Sequence, residues 1–358
     1  MTFEHPPAAD AAATAADNAR VGGSDYAPPL WLRSPHVQTV LASSPWRRQR
    51  GARRLAETGA VTTEHLVDGG DGVRLHGLHS VVPGQAPRGL ALLLHGWEGS
   101  TESAYMRLAA ARLLADGWDV VRLNFRDHGG THHLNEELFH SNRIDEVVHA
   151  AADLVRRLHV RDLVVAGYSL GGNHALRLGL RARRAGLPLR HIAAVCPLVD
   201  PAGTMDAMER DGRFYDWYFR RQWRGSLQRK RELFPERFDY DDAVLAQDMR
   251  GLIGWLARRH AGFDSAEAYF DRYSIAGDRL AGLDVPASIL MAQDDPVIPI
   301  EHFRHWQLPA GTTLEVARWG GHCAFVENLA GDGFSERWVA ARLGAALAPA
   351  AGAQGPAR

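Results

Sequence analysis

The chain has 358 residues, of which 46% are hydrophobic and 23% charged, with a formal net charge of −1. Those values suit a soluble globular protein able to bury a large core. They leave no electrostatic footprint for nucleic acid or an anionic membrane as main partner. No stretch approaches ~18 uninterrupted apolar residues, so stable membrane insertion is not expected. The first 20 residues lack an apolar segment of the secretory type. Cys196 and Cys323 are the only cysteines. Two so far apart make no disulfide framework, and a reducing, cytoplasmic setting is expected. Lys230 is the only lysine in an arginine-rich chain.

In chain order, residues 1–25 are alanine-rich and polar without a lasting period and are expected to be a disordered tail. Residues 26–60 mix prolines with apolar residues, an arm against the core. Two extended runs flank Asp71-Gly72, a hairpin signal. The apolar run 89–97 suits a strand buried on both faces. A helix follows over about 103–115, with Met106, Ala109, Ala110, Leu113 and Leu114 on one face. Strands are predicted at 119–125, 162–167, 191–196, 287–292 and 312–317, and helices at 143–158, 171–184 and 334–346. Strands alternating with helices imply a mostly parallel sheet covered on both sides, and an eight-stranded-type sheet is expected. Residues 198–285 break that rhythm. They are rich in Trp, Tyr, Phe and Arg and read as short helices, a cap inserted over the sheet's C-terminal edge. The core is thus expected over 61–197 and 286–346, with a second frayed tail at 347–358.

The chemistry centres on Gly167-Tyr168-Ser169-Leu170-Gly171. A G-x-S-x-G pattern recurs by chance, but here it leaves a buried strand and opens a helix, the context a nucleophile elbow requires. A serine hydroxyl needs a base to take its proton. In the α/β-hydrolase fold the order is Ser, acid, His. His322, in a glycine-flanked loop after the last strand, fits the base. Asp294 and Asp295 end strand 287–292, where ligands bind in open α/β sheets. Asp295 is the expected acid and Asp294 a turn cap. The oxyanion donors expected are the backbone amides of Leu170, after the nucleophile, and of Trp97 in the loop His95-Gly96-Trp97-Glu98-Gly99. His95 reads as a residue bracing that loop.

Other clusters invite plainer readings. His128, His132, His133 and His140 lack metal-ligand spacing, H-E-x-x-H is absent, and no metal is expected. Arg220, Arg221, Arg224, Arg229 and Arg231 read as a solvated helix face, with contact to an anionic or lipid headgroup as the alternative. No phosphate-cradling G-x-x-x-x-G-K-[ST] loop occurs.

With these residues assembled, the chain resembles the YheT-type family of α/β-hydrolases, AB hydrolase family four. The resemblance spans about 28–345. It rests on Pro35-His36-Val37-Gln38-Thr39, His95 to Ser100 with Tyr105, Asn124-Phe125-Arg126, Gly167 to Asn173, and Asp294-Asp295-Pro296. It implies carboxylesterase-like activity with Ser169, Asp295 and His322 as the triad. Two runs depart from the family pattern, Arg126 to Gly130 and Phe139-His140-Ser141-Asn142, so substrate preference does not carry over.

The expected function is therefore hydrolysis of short- or medium-chain acyl esters through an acyl-enzyme, with a small-molecule partner and no cofactor. Two rivals use the same scaffold. One is acyl transfer to an alcohol or thiol, and the other a non-catalytic binding protein. The oligomeric state is not readable.

Overall fold

The computed structural model of this chain describes residues 20–210 and 213–347. Of the tails expected over 1–25 and 347–358, residues 1–19 and 348–358 lie outside the described residues. Nine strands form one sheet: β1 (Arg20–Gly23), β2 (Val61–Asp68), β3 (Arg74–Val81), β4 (Leu90–Leu94), β5 (Asp119–Asn124), β6 (Leu163–Tyr168), β7 (Leu189–Val195), β8 (Ala287–Ala292) and β9 (Thr312–Ala317). Their order is β1-β9-β8-β7-β6-β4-β5-β3-β2. Only the pairs β2·β3 and β3·β5 are antiparallel. The central strands β4, β6 and β8 are buried at every position. That is why they read as continuous apolar runs rather than alternating ones.

One expectation needs correction. Residues 20–23, placed in the tail by sequence, pair in parallel with Thr313–Val316 as an added edge strand. The backbone of β9 leaves a row of unpaired groups that any extended segment can satisfy. Four residues carrying two glycines show no side-chain period by which such a strand could be read.

The arm folds into two helices, α1 (Pro35–Ala42) and α2 (Pro45–Glu57), each with a proline in its first turn and a serine cap, Ser34 and Ser44. The core helices are α3 (Ala104–Ala115), α4 (Ile144–Arg157) and α5 (Leu170–Ala182). Between β7 and β8 the insertion supplies α6 (Pro201–Arg210), α7 (Arg213–Leu233), α8 (Asp242–Ala246), α9 (Met249–His260) and α10 (Ala266–Tyr273), and α11 (Phe334–Ala345) closes the series. The crossover through α3 carries the chain from β4 to one side, to β5. The crossovers through α4 and α5 move the opposite way, across β6 to β7. Right-handed connections then put α3 on one face of the sheet and α4 and α5 on the other. Helix packing follows this division, α2 and α11 against α3, and α4 against α5.

The reversal of direction falls between β4 and β6, which pair in register as Leu94 with Gly167. The crevice beyond the carboxyl ends of these strands is the topological switch point, where open α/β sheets bind ligands.

The arm is fastened by a buried charge pair. Arg47 of α2 is fully buried and donates from Nη2 to Glu336 Oε1 of α11 at 2.6 Å. Burial pushes the Glu336 carboxyl up and Arg47 pulls it back down. Removing one partner of such a pair strands the other, at a cost of about 3–5 kcal/mol. Arg47→Ala is therefore expected to lower the urea midpoint by an equivalent of about 3 kcal/mol or more. A loss below about 1 kcal/mol, the scale of a surface pair, would contradict this role.

Candidate active site

Ser169 sits where β6 ends and α5 begins, with φ 54° and ψ −120°. A side chain rarely adopts this region unless the surroundings force it. The force here is close packing of backbone. A Cβ added to Gly167 would meet Gly171 O at 2.1 Å, and one added to Gly171 would meet Leu94 O at 2.3 Å. With the start of α5 pressed against both β6 and the end of β4, the residue in between is turned up from the sheet edge. Ser169 N is held by Val195 O at 2.9 Å.

His322 Nε2 lies 2.9 Å from Ser169 Oγ. Its Nδ1 lies 2.9 Å from Asp295 Oδ2 and 3.1 Å from Oδ1. Asp295 is itself fixed, because its Oδ1 accepts from the amides of Val297 and Ile298 at 2.8 and 3.0 Å. An anionic carboxylate on Nδ1 keeps the proton there and leaves the Nε2 lone pair facing the hydroxyl. The three side chains expected from sequence thus meet in one hydrogen-bonded chain. Asp294 points elsewhere. Its Oδ1 accepts from Gly321 N at 3.0 Å, and burial pushes its carboxyl up to about 6.

The histidine loop is also held by the arm. His322 N donates to Thr39 Oγ1 at 2.9 Å. One residue before, the buried Gln38 accepts from Val326 N at 2.8 Å and donates to Tyr26 Oη at 2.7 Å. Sequence analysis marked this run only as a resemblance motif, and its positioning role was missed. No local pattern could have revealed it, since the arm and the loop are joined only by the fold.

Trp97 and Leu170 line the same cavity as Ser169. The Trp97 ring stacks on Phe219 and meets Trp223 edge-on, both from α7, at centroid distances of 5.6 and 5.4 Å. His95 is fully buried. Its Nδ1 faces Gly96 O at 2.7 Å, and its Nε2 accepts from Phe125 N at 3.2 Å. Burial and the neighbouring His128 hold its pKa well below the ordinary value, so it is a neutral brace. Glu98 beside it is pushed up to about 8 by burial and by Asp127.

The cavity opens to solvent, and the space within it, open mouth included, is about 810 Å³. Its far walls come from the insertion, through Met205, Met208, Met249, Ile253 and Leu256. Asn173 of α5 ties this roof to the core, donating to Leu198 O and Tyr273 O at 2.8 Å each. So does Lys230 of α7, fully buried and 2.7 Å from Asp127 Oδ1.

The other clusters separate. His128 Nδ1 faces Arg126 O at 2.7 Å, and His132 Nε2 faces Ser226 Oγ at 2.7 Å. None of the four histidines belongs to a group of three close metal-donor side chains among the described residues. In the arginine run, Arg231 pairs with Asp242 at 2.9 Å and Arg224 donates to Gln247 O at 2.8 Å.

A family model described as alpha/beta hydrolase fold matches residues 92–329. Among curated relatives, "Putative esterase YheT" of Escherichia coli is 26% identical over 66% of this chain and 70% of its own. "Putative esterase slr0264" of Synechocystis is 23% identical over 85% and 88%. Among solved structures, an esterase of Pyrococcus furiosus, Pf2001, superposes with a TM-score of 0.53 at 17% identity, over 82% of this chain and 92% of that one. The esterase Est22 gives 0.53 at 16% identity, over 91% and 93%. At these identities the structures speak for the fold alone.

The electrostatics of the imidazole give a measurable expectation. Burial disfavours a charged His322, but the Asp295 carboxylate and the Cys323 sulfur outweigh it, leaving the ring well above its ordinary 6.5. The charged form thus persists to higher pH than in an ordinary histidine, and the neutral, proton-accepting ring, with its proton on Nδ1, is reached only as pH rises past that raised value. Histidine NMR should place the His322 titration above 6.5, and Asp295→Asn should lower it. A wild-type midpoint at or below the ordinary value would refute the electrostatic assignment.

Proposed function

The chain belongs to the alpha/beta hydrolase fold family, and from that premise we propose that it hydrolyses carboxylic acyl esters through Ser169, His322 and Asp295. The observation that carries the reading is the unbroken chain Ser169 Oγ–His322 Nε2 and His322 Nδ1–Asp295, each link at 2.9 Å. Distant homology to curated proteins named as esterases supports the same class.

Ser169 Oγ attacks the ester carbonyl as His322 accepts its proton. Asp295 holds the tautomer and steadies the imidazolium. The backbone amides of Trp97 and Leu170 are the proposed donors to the oxyanion. The imidazolium returns its proton to the departing alcohol. Water then repeats the attack on the acyl-enzyme, releasing the acid and free Ser169. The apolar cavity under the insertion takes the acyl group. Its apolar, methionine-rich wall suits a short or medium chain. The two free thiols suit a reducing, cytoplasmic compartment.

A fluorophosphonate probe should label the protein once per chain, and Ser169→Ala should abolish both labelling and turnover, by about 10⁴-fold or more. An unlabelled wild-type protein would sink the hydrolase reading. A nitrophenyl ester series should show kcat/KM falling once the acyl chain outgrows the cavity, and a rise through the longest chains would refute the size assignment.

Thr39→Val separates positioning from binding. It removes the hydroxyl that holds the His322 amide but lies outside the acyl cavity. The expected result is a fall in kcat of roughly ten-fold with KM little changed, on the scale of a lost hydrogen bond of about 1.4 kcal/mol. Equal kcat would show that the loop holds its place without Thr39.

A further inference from the structure

The chain's only two cysteines converge on the same imidazole. Cys196 directly follows β7, and Cys323 directly follows His322. Both are buried, unpaired thiols. Both hold left-handed backbone, at φ 43° and 57°, a region non-glycine residues seldom occupy. Their sulfurs and a ring nitrogen of His322 all lie within 4.8 Å of one another. Cys323 Sγ is 4.0 Å from His322 Nε2. Ester hydrolysis as described uses neither sulfur.

Three properties of this cluster belong together. The donor set, two thiolates and one imidazole, is the kind that selects zinc and other soft divalent ions. In its neutral form the imidazole is oriented as a ligand, because Asp295 on Nδ1 leaves Nε2 as the lone-pair nitrogen. Ligating histidines are ordinarily oriented by just such a carboxylate. A fourth position is at hand, because Ser169 Oγ sits 2.9 Å from Nε2 at the wall of the open cavity. That hydroxyl, or a water in its place, can complete a tetrahedron. Bonds of about 2.3 Å to sulfur and about 2.0–2.1 Å to nitrogen put tetrahedral donors roughly 3.5–3.8 Å apart. From separations of up to 4.8 Å this is a closure of about 1 Å, within reach of cysteine side-chain rotation.

We propose that Cys196, Cys323 and His322 form an inhibitory binding site for a soft divalent cation of the zinc class. On binding, the two thiol protons, and the Nε2 proton wherever the ring is charged, leave to solvent and the cation takes their place. It also takes the Nε2 lone pair that would otherwise accept the Ser169 proton. The inhibition rests on the ester-hydrolase reading, whereas the binding does not.

The test uses the purified full chain, reduced and stripped with a chelator, and titrated with cobalt(II). A thiolate-to-cobalt absorption band saturating at one ion per chain is expected, and zinc should displace it. The Cys196→Ser/Cys323→Ser double variant should lose the band and at least ten-fold in zinc affinity. Should that variant not fold, the single Cys196→Ala and Cys323→Ala variants should each lose band intensity. Ser169→Ala should keep the band, since the sulfurs and the imidazole remain. In parallel, zinc should abolish nitrophenyl ester turnover, and a chelator should restore it. No thiolate band with the wild-type chain, or unchanged zinc affinity in the cysteine variants, would overturn the site. Turnover that persists at saturating zinc would overturn the inhibition. A metal-free chain without esterase activity would count against the hydrolase reading, and the cobalt titration would still decide the site.

Discussion

The functional architecture depends on how closely the start of α5 can approach β4 and β6. Backbone meets backbone there, with room for no side chain at Gly167 or Gly171. That approach leaves Ser169 in a strained conformation with its hydroxyl lifted above the sheet edge. The strain is tolerable because the surrounding strands are fully buried and over-determine the turn. A looser junction would relax the serine and move its hydroxyl off the line to His322. Proton transfer needs heavy atoms about 2.6–3.2 Å apart, so under the proposed role of Ser169 a displacement of that kind would cost rate long before it cost stability.

The partner of that serine is held in a different way. The loop carrying His322 has no regular structure of its own, and it is fixed by hydrogen bonds from three directions. Asp295 grips the ring, Asp294 holds Gly321, and Thr39 holds the backbone amide of His322 itself. The last of these comes from the arm, which is secured at its far end by Arg47 on Glu336. The N-terminal arm is therefore part of the candidate site's scaffold, and the buried ion pair that fastens it constrains the placement of His322 as well as folding. Such pairs add little net stability but penalise every arrangement that breaks them.

Much of this was legible in the sequence. The buried strands were, because continuous apolar runs between turn signals leave few alternatives. Helix 103–115 and strand 287–292 appear in the structure as Ala104–Ala115 and Ala287–Ala292. Ser169, Asp295 and His322 could be chosen because the elbow pattern fixes a strand–turn–helix context and the fold fixes an order along the chain. What stayed hidden shares one character: it depends on contacts between distant segments that leave no local trace. Strand β1 exists only because the edge of β9 was free to pair. Thr39 and Gln38 work through a loop almost three hundred residues later. Cys196 and Cys323 meet only because β7 and the histidine loop end at the same place.

Lys230 shows the same logic from inside the insertion. A composition count marks it as the single lysine among forty-one basic residues. The fold then spends that one ammonium on Asp127 and on the carbonyls of His132 and Asn135, with none of the side chain left exposed. Every other basic side chain is a guanidinium. The folded surface accordingly presents no lysine amine to succinimidyl esters, aldehydes or isothiocyanates. Reagents of that type would find Lys230 only after the insertion had come away from the core, which makes amine acylation a chemical reporter of roof opening.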